Sequence, residues 1–185
     1  FGIQKVRYER SVEHTETDQG DRADYTEGFE FNEDLFTRGY GVNMKLGIIA
    51  RPLDFLRLGA AFHTPSFYFL NDRFTTDIRA WYDSDLNLSS EGAESRVLEF
   101  DYRLKSPSKL IGSAAFTISK YGMVSIDYER VNYTSANLEA SDYGFSEENK
   151  AISDIFQSAN NLRFGAELRI GEGYMRGGYS YYSSP

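Results

Sequence analysis

The 185-residue chain has no cysteine, two histidines, one tryptophan and four prolines. Without cysteine there is no disulfide framework, no thiol nucleophile and no thiolate metal site. A hydrolase triad needs a serine, a base and an orienting group. The only imidazoles are His14 and His63, and His63 sits beside Thr64-Pro65 with no serine motif close by. Positive charge is also scarce: 20 Lys and Arg face 28 Asp and Glu, for a net charge of −8. Phosphate backbones are bound by clustered basic side chains, so nucleic acid is excluded as a partner. No run of about eighteen apolar residues occurs, which rules out a transmembrane helix. The mean hydropathy of −0.51 is that of a polar chain. A membrane β-barrel stays compatible with it, because barrel strands alternate lipid-facing and lumen-facing residues and average out as polar.

What the chain does hold is aromatic residues, 14 Tyr and 14 Phe, more than an ordinary core uses. Barrels place such residues in girdles at both membrane interfaces. It also holds a period-two pattern. From Leu162 to Ile170 every even position is apolar and every odd one is charged or Gly. A helix would scatter these apolar groups over all its faces, whereas a strand gathers them on one. Val124, Ile126 and Tyr128 oppose Ser125, Asp127 and Glu129 in the same way, and Leu56, Leu58, Ala60 and Phe62 oppose Arg57, Gly59, Ala61 and His63. Further strands are expected over 3–12, 39–50, 73–88, 96–104, 110–120 and 173–182. The total is nine, many of them about ten residues long, the length of a tilted membrane-spanning strand.

The links alternate in length. Arg51-Pro52-Leu53-Asp54, Lys120-Tyr121-Gly122 and Gly171-Glu172-Gly173 read as tight turns. If each strand crosses once, all three fall on one side, assigned to the periplasm, with longer links on the other. Residues 15–37, rich in Asp, Glu, Thr and Gly, read as a long polar loop. Within a second long loop, 134–160, the spacing of Ala151, Ile152, Ile155, Phe156 and Ala159 predicts a short amphipathic helix over 147–158. Ser146 is its expected N-cap, and Glu147 and Glu148 suit the positive end of the helix dipole.

Several of these runs are familiar. Gly39-Tyr40-Gly41-Val42-Asn43-Met44-Lys45-Leu46-Gly47-Ile48-Ile49-Ala50-Arg51-Pro52, followed by Leu56-Arg57-Leu58-Gly59-Ala60-Ala61-Phe62-His63-Thr64-Pro65, resembles the FadL/TodX (OmpP1-like) family of outer-membrane transporters. So do Tyr102-Arg103-Leu104-Lys105-Ser106-Pro107-Ser108-Lys109-Leu110, the run Asn161–Arg169 and Arg176-Gly177-Gly178-Tyr179-Ser180-Tyr181. The resemblance implies uptake of hydrophobic compounds, such as long-chain fatty acids or aromatic hydrocarbons, across the outer membrane. It also implies a barrel of about fourteen strands with an N-terminal plug. Neither the plug nor the early strands can be matched here, so no pocket residue carries over from them. Phe1 is not a start residue and no signal peptide precedes it, so the whole chain, 1–185, reads as one barrel fragment cut from a larger protein. Its nine strands would end in two open edges, near 3–12 and 173–182, and truncation-induced edge-to-edge self-association is expected there.

The charges share parity with the small residues: Lys45, Arg57, Asp77, Arg79, Glu99, Asp101, Arg103, Asp127, Glu129, Arg163, Glu167, Arg169 and Arg176. Each would cost several kcal/mol in lipid, so they belong on the lumen side. Asp127 and Glu129 should pair with Arg163, and Glu167 with Arg176, as a salt-bridged interior. For contact with a carboxylate ligand, a bidentate guanidinium is preferred, which singles out Arg57, Arg103 and Arg163. No catalytic residue, metal site or cofactor is expected. Asp83-Ser84-Asp85 begins like a calcium loop, but the Gly and terminal Glu of such a loop are misplaced. The partners expected are a hydrophobic small molecule and outer-membrane lipid. Two other readings stay open: a hemin receptor, for which nothing pairs the histidines or tyrosines as axial ligands, and a soluble β-sandwich or adhesin-like domain, whose apolar face would be covered by a second sheet.

Overall fold

A computed structural model describes residues 1–18, 26–82 and 91–185. Asp83-Ser84-Asp85, the middle of the 15–37 stretch and the end of the 73–88 strand lie outside the described residues. The chain is all-β with one helix. In order it runs β1 (Gly2–Thr17), β2 (Thr26–Asn43), β3 (Lys45–Leu53), β4 (Leu56–His63), β5 (Phe67–Tyr82), β6 (Glu91–Glu94), β7 (Leu98–Lys105), β8 (Lys109–Ile118), β9 (Gly122–Asn132), β10 (Asn137–Glu139), α1 (Ser146–Ile155), β11 (Ser158–Ile170) and β12 (Gly173–Tyr182). Each of the nine expected strands overlaps one of these segments, but the one expected over 39–50 is broken at Met44 into the end of β2 and the start of β3. The additions are β6, β10 and the part of β2 that begins at Thr26, inside the stretch expected to be a loop. That stretch hides its strand because Glu27, Glu30, Asn32, Glu33 and Asp34 put polar groups on both faces, so no period-two contrast marks it.

Two six-stranded sheets have the orders β12-β11-β9-β8-β4-β3 and β1-β2-β5-β7-β10, with β6 on β5. The chain divides into two compact units. The first comprises Phe1–Gln4, Gly41–Tyr68 and Arg103–Pro185 and contains the whole first sheet. Its pairings are antiparallel and in continuous register, apart from an irregularity between Ala50 and Leu53. Three tight turns join β3 to β4, β8 to β9 and β11 to β12; the first lies at 54–55, because Arg51, Pro52 and Leu53, expected in the turn, belong to the end of β3. Gly171 takes φ +62° in the last, a left-handed value that favours glycine.

Prolines interrupt two runs in this unit. Thr64-Pro65-Ser66 separates β4 from β5, and Ser106-Pro107-Ser108 separates β7 from β8. Proline has no N–H to give to a ladder, and side chains make up the pairing. Ser66 N–H donates to Ser106 Oγ (2.9 Å), and Ser106 N–H donates to Ser66 O (2.9 Å). Met44, between β2 and β3, is held the same way: its N–H donates to Thr64 Oγ1 (2.9 Å) and its carbonyl accepts from Thr64 N–H (2.9 Å).

Helix α1 lies where the sequence places it, with two corrections. It ends at Ile155, and Ser158, expected in the helix, already begins β11. Its N-cap is Phe145, in a left-handed conformation (φ 44°, ψ 26°), and not Ser146, which is already the first helical residue. Glu147 and Glu148 occupy the first turn. The helix is tied to β10 by Asn149, whose Oδ1 accepts from Leu138 N–H (2.8 Å) and whose Nδ2 donates to Leu138 O (2.9 Å). One side-chain amide thus satisfies both backbone polar groups of a residue on the short strand β10.

The second unit comprises Lys5–Tyr40 and Phe69–Tyr102. Its long strands are laced by polar pairs: Arg10–Glu33 (2.8 Å), Asn32–Asp77 (3.1 Å) and Asn71–Asp101 (2.9 Å). A cleft of about 580 Å³ lies along Glu9, Arg10, Asp34, Phe36, Arg73 and Thr75.

Candidate functional site

The first sheet has two chemically distinct faces, and their exposure is inverted relative to a water-soluble sheet. Register puts Ile48, Ala60, Gly112, Tyr128, Leu162 and Tyr181 in one row, and Ala50, Leu58, Ala114, Ile126, Phe164 and Tyr179 in the next. These apolar side chains are open: Ile48 is 70 % exposed, Leu168 47 % and Phe164 46 %. On the opposite face Glu129 and Asn161 are each 8 % exposed. A β-sandwich buries the first kind and exposes the second, so the sandwich reading fails on this inversion.

The polar face carries the candidate site. Glu129 on β9 sits directly across from Asn161 on β11, and Asn161 from Tyr182 on β12. Asn161 Nδ2 donates to Glu129 Oε1 (2.9 Å). Arg163, two residues on, brings Nη2 to 3.5 Å from Glu129 Oε2, donates from Nε to the Tyr182 hydroxyl (3.2 Å) and lies over that ring (5.6 Å to its centroid). A sheltered carboxylate therefore has a hydrogen-bond donor and a cation of its own, which is what makes a buried charge tolerable. The expected pairing of Glu129 with Arg163 is present, Asp127 lies opposite Arg163 in register, and Glu167 pairs with Arg176 (2.5 Å).

The three arginines singled out from sequence do not converge. Arg57 lies in the row of Ala115, Ser125 and Gly165, on the same face as Arg163 but three strand spacings from it, roughly 14 Å or more. Among the described residues Arg57 makes no ion pair. Arg103 is on β7, 3.9 Å from Glu139 of β10. Arg163 is already engaged by Glu129 and Tyr182, which leaves Arg57 as the freest of the three.

Sequence reasoning missed a second feature. Lys45, His63 and Lys109 are direct cross-strand neighbours on the polar face. Two lysines thus flank one imidazole, and none of the three forms an ion pair among the described residues. The row was visible in principle from the parity of each strand. It required the register between strands, which the tight turn at 54–55 sets for β3 and β4 and nothing local sets for β4 and β8. His14, the other imidazole, faces Glu16 at 2.9 Å on β1.

No protein-family model and no curated protein sequence matches the chain. Among solved structures it is similar to the toluene transporter TbuX of Ralstonia pickettii, with a TM-score of 0.50 and 13 % identity over 98 % of this chain and 56 % of that one. The toluene transporter TodX of Pseudomonas putida matches over the same shares, with a TM-score of 0.47 and 12 % identity. The chain thus spans little more than half the length of either. At 13 % identity the likeness to TbuX is one of fold, and it agrees with the sequence resemblance to FadL/TodX transporters.

Proposed function

We propose that the chain is part of an outer-membrane β-barrel that passes hydrophobic compounds and performs no chemistry on them. The inverted sheet carries this reading. Ile48, Phe164, Leu168 and Tyr179 stand open on one face, while Glu129, Asn161 and Arg163 are paired on the other. In water such a face would be a large apolar patch of the kind monomers rarely expose; against lipid it is the solvated side. On β9 the apolar side runs from Tyr128 to Val124, bounded by Arg130 and Gly122. The two bounds are eight steps apart, about 26 Å along the strand, which a barrel strand's tilt shortens to roughly 20 Å across the membrane. No helix among the described residues is long and apolar enough to cross a membrane, and strands need none.

The substrate class is a hydrophobic small molecule, with long-chain fatty acids and aromatic hydrocarbons as the compounds to test. Acids among them have positive charge available on the polar face at Arg57, Lys45 and Lys109. The test is uptake by intact cells. Deleting the gene should slow accumulation of labelled toluene or long-chain fatty acid, and restoring it should return the rate. Unchanged uptake of both, with selective loss of growth on hemin, would replace this function with hemin reception.

A further inference from the structure

The apolar face holds one cation at its rim. Arg130 on β9 lies on the side of Tyr128, Ile126 and Val124, opposite Leu110 of β8 and Asn160 of β11. Its row continues through Phe62 and Leu46, and the next positions outward on β9 and β11 are Asn132 and Ser158. Arg130 therefore stands where the apolar band gives way to polar residues, at the end opposite the tight turns. A guanidinium at mid-membrane on a barrel's outer face costs about 2–4 kcal/mol, but near the interface only about 0–1. The position is thus tolerable without a protein partner, and Arg130 has no ion pair among the described residues.

Two neighbouring features give this cation a ligand. The first is a second donor. Tyr128 donates its hydroxyl to Asn160 Oδ1 (2.6 Å), which leaves the Asn160 side-chain Nδ2 as a donor beside Arg130. The second is a groove of about 310 Å³ on the apolar face, lined by Leu46, Ile48, Ala60, Phe62 and Leu110. It exists because Ala60 and Gly112 are small where their row neighbours Ile48 and Tyr128 are large. Leu110 lines the groove and is itself the direct neighbour of Arg130. Paired donors at the membrane interface beside an apolar furrow match one kind of molecule, with an anionic phosphate at one end and an acyl chain at the other.

We infer that Arg130 and Asn160 bind the phosphate of an anionic membrane lipid in the leaflet on the long-loop side, with an acyl chain lying in the Leu46–Ala60–Leu110 groove. The site rests on the membrane placement proposed above. It is separate from the polar face, so it serves anchoring and orientation in the bilayer and not passage of substrate.

The test uses the chain reconstituted in bilayer discs of phosphatidylglycerol mixed with phosphatidylcholine of identical acyl chains, with retained lipids counted by native mass spectrometry after extraction. Wild-type protein should retain phosphatidylglycerol preferentially. Arg130→Gln should cut that preference about fivefold, the factor one basic group near a charged membrane surface contributes, and Arg130→Lys should keep most of it. Ala60→Phe fills the groove from an exposed position and should lower retention of both lipids. Equal preference in wild type and Arg130→Gln would overturn the site, as would displacement of the lipid by inorganic phosphate alone. Failure of the wild-type chain to insert would overturn the membrane placement and the site together. Insertion without preference for the anionic lipid would overturn the site alone.

Discussion

Glu129 depends on two neighbours that come from one strand, Asn161 and Arg163. Removing the cation by Arg163→Leu leaves a sheltered carboxylate with the Asn161 amide and the charge of Lys109, which stands beyond ion-pair distance. The expected loss is about 1–2 kcal/mol, below the range for a fully buried pair, because the Arg163 side chain keeps 38 % of its surface exposed. Glu129→Gln should cost less than Arg163→Leu, since it removes the charge that needs a partner. Urea unfolding of the reconstituted protein orders the two. Outside the strands, Tyr143 donates its hydroxyl to Glu148 Oε1 (2.7 Å), and this bond to a carboxylate raises its pKa above the usual phenol value. A raised pKa means the hydrogen bond helps the folded state at all pH below the ordinary phenol value, about 10, and is lost as pH climbs through the higher folded value. Phenolate absorbance should therefore show a late-titrating component that shrinks in Tyr143→Phe. The sign alternation that pairs Glu129 with Arg163 was legible in the sequence. The parts played by Asn161 and Tyr182 were not, because neither residue type announces a partner and both contacts depend on strand register.

Elements were legible in proportion to the contrast between their faces. β11 and β9 alternate cleanly and were placed within a few residues. β2 begins unannounced at Thr26 because its polar residues lie on both faces, and β10 is too short, at three residues, for any period to show. The helix was legible from its apolar spacing, but its cap was not: Phe145 takes a left-handed conformation that sequence preference assigns to Gly or Asn. Its link to β10 also went unseen, since an Asn inside a helix gives no sign that its amide will pair with a strand. That link makes its own prediction. Asn149→Ala strips both partners from the Leu138 peptide, so exchange of the Leu138 amide should accelerate roughly tenfold, with β8 and β9 amides unchanged. Equal acceleration across β8 and β9 would mean that Asn149 supports the sheet as a whole and not the short strand.

For the whole molecule, the central fact is the inverted sheet. Composition concealed it, because a chain with net charge −8 and mean hydropathy −0.51 looks like a soluble acidic protein. Alternation revealed two faces without saying which one meets bulk solvent. The identities of the charged residues settled that at the sequence level, since paired Glu and Arg are tolerated inside a lumen and not in lipid. The structure adds that Glu129 and Asn161 on that face are sheltered while the apolar side chains opposite stand open. The absence of cysteine in the chain makes a direct test clean. Single cysteines placed in turn at positions 162 to 168 of β11, in protein reconstituted in vesicles, can be probed with a lipid-borne quencher and a water-soluble thiol reagent. Quenching by lipid should peak at Leu162, Phe164, Ala166 and Leu168, and reaction from water at Arg163, Gly165 and Glu167. The reverse alternation, or uniform access from water at all seven positions, would contradict the assignment of faces and with it the membrane barrel.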